Sequence, residues 1–160
     1  MTPAAIVRAA GHIAIALIAM LPLSPVAAAQ DCQYLALDPG SGKFRAGDLS
    51  IDLGEADNAK QPTAWQGPIT LARPGGTSCS VDPAVSIVEG PIYLDGQHLL
   101  VTTYSGSNRV LFAVDAATCT VLWRSQPFAG PVQLDAGTLH TGDRSVSLGA
   151  ACLPLSSAGR

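Results

Sequence analysis

Short apolar runs broken by glycine, proline and aspartate set the pattern of this chain. Val110 to Val114 is a continuous apolar strand, Asp115-Ala116-Ala117-Thr118 is a turn, and Cys119 to Trp123 returns as a second strand. An aspartate opens the turn because its carboxylate accepts hydrogen bonds from backbone amides two residues on. Other apolar runs span four to six residues, and no dozen-residue segment after Ala29 has helical periodicity. The expected fold is all-β, a small disulfide-bonded domain of antiparallel blade-like hairpins, as a partial propeller or a compact sandwich or barrel. Pro68, Pro91 and Pro131 each follow glycine and are expected at edge or strand-start positions, where a missing N–H is tolerated. Trp65 and Trp123 are the expected core anchors.

The pattern also repeats. Tyr34 to Phe44 aligns without gaps on Leu111 to Val121, each a strand, an Asp-led turn and a strand. Cys79 to Leu99 superposes on Cys119 to Leu139 at an offset of 40, matching Gly90-Pro91-Ile92 with Gly130-Pro131-Val132. Gly47 to Gly54 echoes Gly142 to Gly149. A period near 40 with several short strands per unit suits propeller blades, but a closed ring needs at least four blades and this chain supplies about three. An open or compact domain of blade-like hairpins is expected, with a monomer favoured over a ring of associated copies.

Before any folding argument, Met1 to Ala29 reads as a signal peptide. It has a weakly basic start, nine apolar residues from Ile13 to Leu21, and Ala27-Ala28-Ala29 before a cleavage point between Ala29 and Gln30. The run is too short for the roughly 20 residues that span a bilayer, and no second one follows, so the mature chain has no expected transmembrane segment. Residues 30–160 then form a single β-repeat domain of 131 residues, large enough for one core. With Arg8 removed and all twelve acids kept, the formal charge is −4, which argues against nucleic acid as a partner. Cys32, Cys79, Cys119 and Cys152 all lie in the exported part. In an oxidising compartment they read as two disulfides, with gaps of 47, 40 and 33 residues that do not suit a metal site. Cys32 with Cys152 and Cys79 with Cys119 is the preferred pairing, since it ties the first strand to the last. The expected location is periplasmic or secreted, in a bacterium with a Sec-type signal.

The run Ala113-Val114-Asp115-Ala116-Ala117-Thr118-Cys119-Thr120-Val121-Leu122-Trp123 resembles the Ala-x-Asp-x-x-Thr-Gly-x-x-x-Trp repeat of quinoprotein-type (PQQ-like) β-propellers, with Cys119 at the glycine position. The resemblance implies blades whose Trp packs between neighbours; it does not imply a quinone, and no cofactor is expected. A second, weaker resemblance is to exported lysozyme inhibitors, small disulfide-bonded β domains whose inhibitory loop has Ser-Gly-x-x-Tyr. Here Ser105-Gly106-Ser107-Asn108 is followed by Arg109, and Ser41-Gly42-Lys43 by Phe44.

Groups for chemistry are few. His98 and His140 stand beside strand residues, with no nucleophile elbow, phosphate-cradling glycine loop or metal-spaced His pair, so neither catalytic nor metal residues are assigned and the protein is not expected to be an enzyme. Asp52, Glu55, Asp57 and Asn58 cluster between repeats, but their spacing is not that of a calcium loop; a solvated hairpin end is expected. The candidate binding loop is Tyr104, Ser105, Ser107, Asn108 and Arg109, which joins two apolar strands at one end of a sheet. Two functions follow as expectations: an exported binding or scaffold domain, or a periplasmic inhibitor or protective protein whose partner is a cell-wall hydrolase of lysozyme type or another envelope protein.

Overall fold

The computed structural model describes residues 32–155. The expected signal peptide and its cleavage point at Ala29 and Gln30 lie outside the described residues. The strands in chain order are β1 (Leu35–Leu37), β2 (Lys43–Ala46), β3 (Leu49–Asp52), β4 (Ala64–Trp65), β5 (Thr70–Ala72), β6 (Cys79–Ser80), β7 (Val88–Leu94), β8 (His98–Ser105), β9 (Asn108–Asp115), β10 (Val121–Arg124), β11 (Val132–Asp135), β12 (Thr138–Thr141) and β13 (Arg144–Ser147). They form three antiparallel sheets. The first runs β2-β3-β5-β6, the central one β1-β7-β8-β9-β10 with β4 also on β7, and the third β11-β12-β13.

The central sheet is apolar on both faces, which explains why its strands read as continuous apolar runs and not as alternation. Val88, Ile92, Leu99, Val101, Phe112 and Val114 point into one core, shared with Leu49, Ile51 and Leu71 of the first sheet. Their in-between neighbours Tyr93, Leu100, Leu111 and Ala113 point into a second core with Val132 and Leu139 of the third sheet. The expected single core is thus two cores on either side of one sheet. Trp65 is buried in the first and Trp123 in the second.

Each disulfide joins the central sheet to one outer sheet. Cys79 on β6 bonds Cys119 in the β9–β10 turn, and Cys32, just before β1, bonds Cys152, just after β13. The sheets do not close a ring, so the propeller expectation is corrected to three stacked sheets. The repeats survive locally: β2–β3 and β12–β13 are matching hairpins over Gly47-Asp48 and Gly142-Asp143. One match fails in space. β9 and β10 pair across the Asp115 turn, whereas β1 leaves for β7 and β2 for β3. Ala116 in the second copy donates its N–H to the Gln97 carbonyl; Pro39 in the first has none to give.

Pro131 precedes β11 and Pro68 precedes β5, but Pro91 lies inside β7. It is tolerated there because β4 pairs with Val88 and Glu89, β1 with Ile92 to Leu94, and the register of β7 on β8 shifts between Glu89 and Tyr93. No ladder bond is needed at the proline.

Aspartates hold the turns. Asp115 Oδ1 accepts from the Ala117 and Thr118 amides at 2.9 and 2.8 Å. The Thr118 amide, with the Ala117 amide, the Thr118 hydroxyl and the nearby His98, holds the Asp115 carboxyl below its ordinary range despite some burial. Hydrogen bonds from the Thr63 hydroxyl and amide pull exposed Asp57 down to about 2. Partial burial pushes Asp52 up, but the Lys43 side chain and Gly54 amide outweigh it and the net shift is downward. Asp52, Asp57 and Asn58 of the polar loop therefore each spend a side-chain oxygen on nearby backbone amides, Asp52 on Gly54, Asp57 on Thr63 and Asn58 on Lys60 and Gln61. Carboxyls with depressed values take up fewer protons folded than unfolded, so their stabilisation is present above the unfolded value near 3.8 and is lost as pH falls toward 2. Thermal melts should be flat from about pH 7 to 5 and drop between about pH 4 and 2, with a shallower drop in Asp115→Asn. An acid limb unchanged by that substitution would remove Asp115 from the account.

Candidate functional site

The β8–β9 hairpin is the longest strand pair among the described residues, in register from His98↔Asp115 to Ser105↔Asn108. Its turn has only two central residues, Gly106 and Ser107, where a longer loop is expected from the sequence. Gly106 has φ +64°, the left-handed value that the first central position of a type II′ turn demands and that glycine supplies without steric cost. Because this turn matches strand twist, the arm stays regular to its tip.

Flanking backbone supports the arm up to Tyr104 on one side and Arg109 on the other. Tyr104 N–H donates to the Ile87 carbonyl at 3.1 Å, and Arg109 exchanges two backbone bonds with Phe128. Beyond these residues Ser105, Gly106, Ser107 and Asn108 are exposed. Two strands braced from both sides therefore present three polar side chains and a glycine to solvent. Ile87 itself has φ +57°, a left-handed value that a β-branched side chain rarely adopts. Strain of this kind is retained only where surrounding structure over-determines it.

The five expected loop residues separate into two groups. Ser105, Ser107 and Asn108 sit at the tip. Tyr104 is half-buried at the base, and Arg109 is tied into the sheet, with Nε and Nη2 on the carboxylate of Glu89. The Arg109 and Glu89 side chains are 33% and 17% exposed. Arg109 is thus a brace for the hairpin. Glu89, Thr102 and Ile87 at its base were not singled out by sequence; no local motif marks them, since register alone brings them together.

At the opposite end of the same strands, Asp95 accepts from the Gln97 and His98 amides and from His98 Nδ1 at 2.9 Å. Tyr34 donates to the Cys152 carbonyl at 2.8 Å, and burial, reinforced by the Asp95 carboxylate, pushes its hydroxyl well above the usual phenol range. His140 Nδ1 pairs with the Ser145 hydroxyl at 2.9 Å. Each histidine is a hydrogen-bonded strand residue. Among the described residues, no three His, Cys, Asp or Glu side chains converge on a point that would hold a metal ion. No helix among them is long and apolar enough to cross a membrane.

Comparison with known proteins gives one family. The family model described as immune protein Tsi1 matches residues 21–150. No curated protein matches the chain. The match corrects the quinoprotein-type resemblance: the Asp-led hairpin with a distal Trp is a local solution to turning between two apolar strands, and it arises here outside any propeller.

Proposed function

The chain belongs to the immune protein Tsi1 family, and from that premise we propose that it is an immunity protein, which protects a cell outside its cytoplasm by binding and blocking a wall-cleaving toxin. The observation that carries the reading is the β8–β9 arm, a braced hairpin with the exposed tip Ser105-Gly106-Ser107-Asn108. A rigid arm binds with little ordering cost, because its conformation is set before the partner arrives. Small polar tip residues present hydroxyl and amide groups that fit a polar cleft of the kind a wall-cleaving enzyme offers its substrate. A protective role agrees with the family; a passive scaffold has no need of the arm. Two disulfides suit an oxidising compartment outside the cytoplasm.

Capture from an envelope extract by the oxidised protein should retain an enzyme that cleaves peptidoglycan, and adding the protein to that enzyme should stop cleavage. Ser105→Ala/Ser107→Ala/Asn108→Ala should weaken inhibition at least 100-fold while stability changes by less than about 0.5 kcal/mol, as for other exposed positions. Arg109→Ala is a poor probe, since it strands the half-buried Glu89 carboxylate. Full inhibition by the triple variant would move the contact surface elsewhere, and capture of no wall-cleaving enzyme would remove the proposed partner.

A further inference from the structure

Cross-strand register places Glu89 of β7, Thr102 of β8 and Leu111 of β9 side by side. Strand alternation puts Arg109 on the same face as Leu111. That face looks toward the third sheet, because Leu111 packs with Val132 and Leu139. Between the sheets, at the base of the hairpin, is a cavity of about 120 Å³ lined by Glu89, Pro91, Thr102, Arg109, Pro131 and Val132. Thr102, one of the lining residues, is 2% exposed, and its hydroxyl has no hydrogen-bond partner among the described residues. A buried hydroxyl left without a partner lowers the stability of the free domain, so its presence points to a group that arrives from outside.

We propose that the cavity is a subsite for a carboxamide, the side chain of an asparagine or glutamine on the protein that grips the hairpin. The identity of that protein rests on the reading above. The class of ligand comes from the walls. Glu89 and Arg109 neutralise each other, so a charged guest would enter without a counter-charge. An apolar guest would leave the Thr102 hydroxyl as it is. A carboxamide brings an acceptor for the Thr102 hydroxyl and the guanidinium and donors for the Glu89 carboxylate, while Pro91, Pro131 and Val132 take its carbon stem. Arg109 follows Asn108 in β9, so the cavity wall and the hairpin tip belong to the same strand pair.

The test uses the full chain, exported, oxidised and isotope-labelled, with acetamide as probe and amide resonances as readout. Acetamide should give saturable shifts at Glu89, Thr102, Arg109 and Val132; acetate should not. Thr102→Val, which keeps the shape and removes the hydroxyl, should weaken acetamide at least tenfold and raise the melting temperature. Thr102→Ser should bind like the parent. Absence of saturable shifts, equal response to acetate, undiminished binding in Thr102→Val, or a melting temperature that does not rise in that variant would each overturn the subsite. The titration needs no toxin, so its failure is separate from failure of the hairpin reading. A silent cavity beside an inhibitory tip defeats the subsite alone, and a responsive cavity beside a tip that tolerates triple substitution defeats the hairpin alone.

Discussion

Reducing the oxidised protein should unfold it at about 37 °C, because both sheet-to-sheet staples go at once. Loop-closure entropy assigns about 5 kcal/mol to the Cys32–Cys152 bond and about 4 kcal/mol to Cys79–Cys119, whose partners are 120 and 40 residues apart. Either figure rivals the whole stability of a small domain. The two bonds are separable by mutation. Cys119 has φ +60°, so without its bond it still occupies a backbone conformation that disfavours a side chain. Cys79→Ser/Cys119→Gly should therefore melt higher than Cys79→Ser/Cys119→Ser, by the equivalent of about 1 kcal/mol. Circular dichroism melts with and without reductant check both points. A reduced protein that melts like the oxidised one would show that the two cores hold the sheets together unaided.

Gly54→Ala should be strongly destabilising. Gly54 forms a parallel bridge with Gly67 and has φ +85°. A β-carbon there would lie 2.3 Å from the Gly67 carbonyl oxygen, which is backbone and already paired into the crossing. The left-handed conformation costs about 1–2 kcal/mol for a residue with a side chain, and overpacking adds about 1–3 kcal/mol. Gly47 has φ +61° with nothing within 4 Å of its added carbon, so Gly47→Ala isolates the first term. Gly54→Ala should lose about 2–5 kcal/mol and Gly47→Ala about 1–2 kcal/mol in denaturant unfolding. Equal losses would mean that the backbone at Gly67 yields freely.

The turns and hairpins were legible in the sequence because their causes are local. Asp115 with its two amides needs only a few neighbouring residues, and the hairpin at Gly106 is expected as a connection between two apolar strands, although the structure turns it in two residues where a longer loop is expected. The apolar runs of β8 and β9 likewise marked strands, and the disulfide pairing in the structure is the one preferred for tying the first strand to the last. The same local economy misled at family level. An Asp-led hairpin ending in Trp is what two apolar strands and a tight turn require, so it resembles a propeller blade without belonging to one.

What the sequence determined by itself is an all-β chain of short strands, the Asp-led turn at Asp115, a connecting loop within Tyr104 to Arg109 and an even set of cysteines suited to an oxidising compartment. What only the tertiary structure decided is how the strands are shared among sheets. β1 and β2 go to different sheets although their copy, β9 and β10, stays together, because pairing depends on strands tens of residues away. Non-local register also turned Arg109 from a loop contact into a brace on Glu89 and placed Thr102 in the lining of a cavity beneath the arm. A strand pattern records which side chains alternate. Which strand lies beside it, and what faces its other side, is settled by the burial of both faces of the central sheet against two different partners.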